Sequence, residues 1–240
     1  MQPYELFIGL RYSRAKRRNY FVSVISLISI VGMALGITVL ISVMSVMNGF
    51  QREIRERILS VVSHVQIVGA DSRLADWHKV EEEAKKHPQV VATAPYISEQ
   101  ALLSFEQSVK GTAVRGILPE YENQVVDLGT HMKSGQLSSL RPGEFGIVLG
   151  VDLARALGVM VGDKLLLIAP QGQVTPAGIL PRLKQFTVVG IFEVGHYEYD
   201  ASLALIHLED AQKLYRLDHQ VSGVRLRLKD LYQAPQVAHE

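Results

Sequence analysis

Residues 19–51 form a single uncharged run, NYFVSVISLISIVGMALGITVLISVMSVMNGFQ, which lies between Arg18 and Arg52. A helix over these 33 residues would be about 50 Å long, whereas the hydrocarbon core of a bilayer is about 30 Å thick. The run is about twice as long as the apolar region of a cleaved signal peptide, which is the alternative interpretation. We therefore predict a membrane-spanning helix and a stalk over residues 19–63.

Basic residues precede this run, at Arg11, Arg14 and 16–18. Flanks rich in lysine and arginine stay in the cytoplasm, so residues 1–18 are predicted to be a cytoplasmic N-terminus. The chain after about residue 45 then lies outside, which in a bacterium means the periplasmic side of the inner membrane.

Two sets of residues within the span are candidates for contacts. Ser29, Gly32 and Gly36 share one helix face, and G-x-x-x-G spacing lets a second helix approach closely, so we predict a packing face there. Methionine and phenylalanine also recur at helical spacing near the outer end, where they could face acyl chains; helix packing is the alternative use of these residues, which are Met44, Met47 and Phe50.

Composition excludes several classes of protein. The 240 residues are 48% hydrophobic, too apolar for a disordered chain. Residues 1–51 carry five cations and one anion and the remainder is slightly acidic, so neither part has the charge of a nucleic-acid binder. The absence of cysteine excludes a disulfide scaffold, a thiol nucleophile and a cysteine zinc site.

No catalytic or cofactor motif is present. The segment GVMVGDK at 158–164 lacks the spacing and the hydroxyl residue of a phosphate-binding loop, and neither H-E-x-x-H nor G-x-S-x-G occurs. His196, Glu198 and Asp200 would share a face if they lay on a strand, but an ordinary polar edge is the favoured interpretation. We predict a chain that is not an enzyme, holds no metal or cofactor and takes its energy from elsewhere.

Hydrophobic periodicity beyond the stalk predicts a mixed α/β domain. The predicted strands are 64–68, 90–94, 101–106, 112–116, a strand that begins at about 145 and ends before the helix at 151, 164–168, 186–192, 203–206 and 224–228. The predicted helices are 76–86, 151–157 and 209–215. A turn is predicted around residues 109–111, and residues 121–208 form a strand-rich second subdomain.

One uncharged segment, PQGQVTPAGILP from Pro170 to Pro181, stands between two predicted strands. Prolines limit the conformations that are lost on docking, so we predict a loop on a solvent-projecting hairpin that anchors a partner through apolar side chains. The candidate anchors are Val174, Ile179 and Leu180. At the base of the loop, Arg182 and Lys184 could pair with acidic groups of a partner or be surface charges, and a loop without a partner is the alternative.

Several strings together resemble a known family. These are FIGLRY at 7–12, SVMNGF at 45–50, VLGVDLARALGVMVGDKLLL at 148–167 and the proline-bounded segment. They are similar to the permease subunits of the lipoprotein-releasing ABC transporter, the LolC/LolE/LolF type, and the Gly162-Asp163 module is shared more widely with MacB-like periplasmic domains. The resemblance covers essentially the whole chain.

The resemblance implies an α+β membrane protein: a transmembrane helix and stalk, then a mixed α/β MacB-like periplasmic domain. This domain would have a Porter-like subdomain (64–120 and 209–240) and a Sabre-like subdomain (121–208). In the family a hook, here 170–181, captures the periplasmic carrier LolA, and basic residues after it touch the carrier. The residues implied are Pro170, Val174, Thr175, Pro176, Gly178, Ile179, Leu180, Pro181, Arg182 and Lys184. Here the hook is one residue shorter before Thr175, and Leu166 replaces a cation.

The resemblance also implies partners. A second permease chain, identical or homologous, and a LolD-type ATPase that uses ATP and Mg²⁺ would extract triacylated lipoproteins from the membrane lipid. The family has four spans, so three more are expected after Glu240. The alternatives are a MacB-like efflux or FtsX-like mechanotransmission permease, or a signal-anchored periplasmic binding module.

Overall fold

The computed structural model describes residues 3–15, 20–59, 65–175 and 178–238. The chain divides into two compact units, residues 1–55 and 56–240. Helix α1 (Pro3–Ala15) is followed by α2 (Tyr20–Leu59), in which residues 24–51 are long and apolar enough to cross a membrane, with a mean hydropathy of 2.6. None of this window is buried inside the protein. The predicted helix is therefore confirmed over 20–59, and residues 16–19 and 60–64 lie outside the described residues.

The second unit is built on a sheet flanked by short helices. Its strands are β1 (Val65–Val68), β2 (Val90–Phe105), β3 (Ser108–Ile117), β4 (Met132–Gly135), β5 (Gly146–Gly150), β6 (Lys164–Thr175), β7 (Gly178–Phe192), β8 (Leu203–His207) and β9 (Gly223–Leu228). Its helices are α3 (Trp77–Lys86), α4 (Pro119–Val125), α5 (Val151–Leu157), α6 (Tyr197–Ser202), α7 (Leu208–Tyr215) and α8 (Ala234–Val237). The predicted mixed α/β domain is confirmed, whereas its division at residues 120 and 208 stays a prediction.

The strands pair in the order β1-β9-β2-β3-β8-β5-β7-β4, and β6 pairs with both β2 and β7. Strand β2 changes partner along its length: its first half pairs with β9, and residues 102–104 near its end pair with β6. Six strands thus form a closed circuit, β2-β3-β8-β5-β7-β6. Among these pairs, β3–β8 and β5–β7 are parallel.

Two predictions within this sheet are wrong. Strands 90–94 and 101–106 are one continuous strand, because pairing with β9 over residues 90–96 is continued by pairing with β3 over residues 96–105. The turn is not at 109–111, which lies inside β3; it is at Glu106 and Gln107, because Phe105 already pairs with Ser108. Glu106 has the left-handed backbone (φ 50°) that such a tight turn requires.

Side-chain alternation along the central strands divides the core into two clusters. Ile147, Leu149 and Ile206 lie in one cluster with α3, α5 and α7, and Val148 and Leu205 lie in the other with α4. Successive side chains of a strand point to opposite faces, so β5 and β8 are covered on both. This explains why the sequences of β5 and β8 are almost continuously apolar instead of alternating between apolar and polar residues.

The segment after β7 contains a short helix. His196, Glu198 and Asp200 do not alternate along a strand, because Tyr197–Ser202 is helix α6. The buried Asp200 carboxylate accepts hydrogen bonds from the backbone N–H groups of Val194 and Gly195, at 2.9 Å each. It therefore anchors the loop that precedes α6. The described residues contain no group of three or more His, Asp or Glu side chains that could hold a metal ion.

Candidate functional site

The uncharged segment forms the far end of an antiparallel hairpin made by β6 and β7. Pairing begins at Lys164 opposite Thr187 and continues to Thr175 opposite Gly178. The predicted hairpin is corrected in one respect, because strand pairing continues through the segment that was predicted as a loop, as far as Thr175 and Gly178. The ladder extends to the residues that flank 176–177, which leaves little of the segment as loop. We call residues 170–181 the hook.

The hydrogen-bond ladder is interrupted where the hook begins. It stops after Ala169 opposite Arg182 and resumes at Gln173 opposite Leu180, so three residues on β6 face one on β7. Each strand has a proline within this interruption, Pro170 on β6 and Pro181 on β7, and both prolines are exposed. Because proline has no backbone N–H to donate, the sequence itself breaks the ladder here. The hook is thereby separated from the body of the hairpin.

The backbone register places the predicted anchors near the end of the hairpin. Val174 lies opposite Ile179, and Leu180 lies opposite Gln173. Pro176 lies outside the described residues. Docking through these positions stays a prediction.

The two cations predicted at the hook base lie on the inner face of β7. Arg182 and Lys184 alternate with Leu183, on the same side of the strand as the fully buried Phe186. Both are half-buried. Arg182 Nη1 donates to the backbone carbonyl of Leu214 at 3.1 Å, and Lys184 Nζ lies 3.7 Å from the centre of the Phe145 ring.

The outer face of the same strands carries an apolar strip that the sequence interpretation missed. Leu102, Ile168 and Leu183 lie in register on β2, β6 and β7, and Leu102 and Leu183 are 43% and 58% exposed. Leu166 lies on the same face, two residues before Ile168 on β6, and Val109 on β3 is also exposed. We call these five residues the outer strip. Only the pairing of distant strands assembles it, so no local pattern could reveal it.

The candidate faces on α2 are open to solvent in this structure. The side chains of Met44, Met47 and Phe50 are all more than half exposed. A methyl group added to Gly32 or Gly36 would meet no atom within 4 Å. The packing role of these glycines with Ser29 and the lipid-facing role of the other three stay predictions.

A buried charge cluster lies away from the hook. Glu122 of α4 forms an ion pair with Arg225 of β9, and both side chains are almost completely buried. Arg115 of β3 contributes a second guanidinium, whose pKa is lowered to about 10 by burial and by the charge of Arg225. The ring of Tyr96 lies 5.5 Å from the Arg225 guanidinium carbon. The cluster connects β3, α4 and β9, and we assign it a structural role.

Comparison with known proteins identifies the family. The MacB-like periplasmic core domain family matches residues 26–240, and the chain belongs to this family. It is 52% identical over 231 residues to a lipoprotein-releasing system transmembrane protein LolC of Neisseria meningitidis, and the match covers 96% of this chain and 56% of that protein. It is 33% identical over 234 residues to a LolE of Haemophilus influenzae, covering 95% and 56%.

The predicted resemblance to the LolC/LolE type is thus confirmed. The chain spans about 56% of the length of these curated relatives. Among solved structures, the extracellular domain of the noncanonic ABC-type transporter YknZ matches with a TM-score of 0.48 and 11% identity, covering 70% of this chain and 80% of that one.

Proposed function

We propose that this chain is the N-terminal part of a permease subunit of an ABC transporter that releases lipoproteins from the bacterial inner membrane. The observation that carries the proposal is the 52% identity to a LolC protein over 96% of the chain, which extends through α2, the sheet and the hook. In this proposal residues 1–18 are cytoplasmic and the second unit is periplasmic. The basic flank at Arg11 and Arg14 supports that orientation.

The hook and the outer strip would dock the periplasmic carrier LolA. A carrier of triacylated proteins must shield acyl chains from water and therefore needs an apolar cavity. A hairpin end that is uncharged over 170–181 can approach such a cavity without desolvating a charge. The exposed leucines of the outer strip would extend the contact, with Leu166 making an apolar contact where related chains are expected to use a cation.

Other subunits would supply energy and complete the membrane part. A LolD-type ATPase would hydrolyse ATP with Mg²⁺ in the cytoplasm, because the chain has no phosphate-binding loop of its own. A second permease chain would pack on the face of Ser29, Gly32 and Gly36, where close helix approach is possible. Met44, Met47 and Phe50 would contact lipid and the acyl chains of the substrate.

Site-specific photo-crosslinking in cells tests the docking proposal. A crosslinker at Val174 or Ile179 is expected to capture the lipoprotein carrier. The matched control is a crosslinker at Met160, which is 73% exposed and lies just before β6 at the other end of the hairpin. Crosslinks from the hook to membrane subunits alone would contradict a carrier-docking role.

Charge introduced into the hook separates this function from that of an efflux permease. Val174→Asp and Ile179→Asp are expected to retain lipoproteins in the inner membrane while leaving assembly with the ATPase intact, because a buried carboxylate is costly in an apolar cavity. An efflux or mechanotransmission permease would show no change in lipoprotein location with these variants. Fractionation of inner and outer membranes measures the outcome.

A further inference from the structure

The inner face of the hairpin combines buried apolar side chains with two cations. Leu165, Leu167 and Ala169 of β6 are almost completely buried on this face, as is Phe186 of β7. The two cations, Arg182 and Lys184, continue the same face toward the hook. A cation on a core-facing side needs partners inside its own chain.

Arg182 finds its partner at the end of helix α7. Its guanidinium donates to the carbonyl of Leu214, one residue before α7 ends at Tyr215. The last carbonyls of a helix have no partner within the helix, and a cation there also interacts favourably with the helix dipole. Arg182 is the last paired residue of β7 before the ladder interruption. The contact with α7 therefore holds the body of the hairpin at the point where the hook begins.

Lys184 reaches α7 through an aromatic ring. Its ammonium lies over Phe145, whose ring also packs edge-to-face on Phe186 with 5.6 Å between centroids. Phe145 has a left-handed backbone (φ 50°), and its N–H donates to the carboxylate of the fully buried Asp210 of α7 at 3.1 Å. Its carbonyl accepts from the N–H of Thr187 at 3.0 Å. The backbone of Phe145 is thus held by both α7 and β7, which fixes the position of the ring under Lys184.

We propose that Arg182 and Lys184 are positioning residues that fix the base of the hook to helix α7. This proposal rests on the proposed function, because fixing the orientation of the hook matters only if a partner docks on it. Both cations are engaged within the chain at its inner face, whereas the outer strip presents leucines. The contacts with α7 then determine the orientation of the hook, so a displacement of α7 would move the hook with it.

Spin-label distances test the positioning without any partner. The 240 residues contain no cysteine, so Gln173→Cys on the hairpin and Lys213→Cys on the exposed face of α7 can be labelled directly. In detergent-solubilised full-length chain, Arg182→Gln and Lys184→Met are each expected to broaden the distance distribution. Lys184→Arg should keep it narrow, because arginine also makes a cation–π contact. The matched control Lys164→Met removes an exposed lysine of the same hairpin and should change nothing.

Binding of purified carrier distinguishes positioning from contact. A positioning role predicts that Lys184→Met weakens binding by about 2- to 30-fold, as expected for the loss of one cation–π contact, and equally at low and high salt. If Lys184 instead contacted the carrier, the affinity of the Lys184→Met variant for the carrier would depend less on salt than that of the unmodified chain, and the spin-label distance distribution would not change. That pair of results would overturn the proposal. If the unmodified chain bound no carrier, the proposed function would fail, while the distance measurement would still decide the role of the two cations.

Discussion

Helix α2 and the central strands β5 and β8 have similar apolar compositions and opposite surroundings. Over residues 24–51 none of α2 is buried, and Leu35, for example, is 65% exposed. Every residue of β5 and β8 is buried. The strands are short enough for helices and neighbouring strands to cover both faces. A helix that is apolar on all sides has no such cover in the described residues and requires lipid or other subunits.

The two regions also differ in how they treat charge. Residues 19–51 contain none, because an unpaired charge in hydrocarbon is costly. The folded domain buries Glu122, Arg225 and Asp210 because each has a partner there. Charge is thus excluded from one region and paired in the other.

Breaking a buried pair should have the largest effect. Glu122→Ala leaves the guanidinium of Arg225 buried without its carboxylate and is expected to lower the free energy of unfolding by about 3–5 kcal/mol. Trp77, the single tryptophan of the 240 residues, is buried in the second unit and reports its unfolding by fluorescence in urea. The control Glu120→Ala changes an exposed carboxylate of the same helix and should shift stability by less than about 0.5 kcal/mol. Equal shifts for the two variants would contradict the assignment.

Placing a charge in the span should have the next largest effect. Gly36→Arg is expected to reduce membrane insertion of α2 by about 2.5–3.5 kcal/mol, measured as the inserted fraction in a translocon assay. Gly36→Leu adds bulk without charge and should insert normally. If Gly32 and Gly36 form a packing face, the leucine variant should still impair assembly with a second permease chain. Normal assembly of the leucine variant would contradict the prediction of a packing face at these glycines.

The same isoleucine-to-valine substitution can be made in β5 and in α2, and its effects on the free energy of unfolding can be compared. Ile147→Val creates a small cavity in β5 and is expected to cost about 0.5–1.5 kcal/mol of unfolding free energy. Ile37→Val makes the same change on α2, where the side chain is 58% exposed, and should not alter the Trp77 transition. A cost at position 37 similar to that at 147 would contradict this comparison.

The smallest effect concerns His207, which accepts a hydrogen bond from the N–H of Glu209 at the start of α7. Burial lowers the pKa of His207 below its ordinary 6.5. The folded state therefore favours the neutral ring, and its stabilisation is present above pH 6.5 and decreases as the pH falls below that value. His207→Asn keeps an acceptor that does not titrate, so its unfolding free energy should depend less on pH between 7 and 5. Identical pH profiles would exclude this role.

Elements that depend on interactions between residues close in sequence were predicted better than those that depend on contacts between distant residues. The apolar helix, strand 203–206 and helix 151–157 depend on local periodicity and were predicted close to their observed bounds. The hook was found from its prolines and its lack of charge, but the extent of its strand pairing was missed because the same prolines suggested a loop at the end of the hairpin. The inner face of Arg182 and Lys184 was also missed, since their partners Leu214 and Phe145 are about 30 to 40 residues away in the chain.

By itself, the sequence determined that one segment requires a membrane, that the chain carries no catalytic motif and that an uncharged, proline-bounded segment interrupts the domain. These features are local, because each depends on the composition of a continuous stretch. The tertiary structure alone decided that β2 joins two sets of strands, that distant leucines form the outer strip and that the cations at the hook base face inward. Those features depend on strand register, because a shift of one residue moves every side chain of a strand to the opposite face.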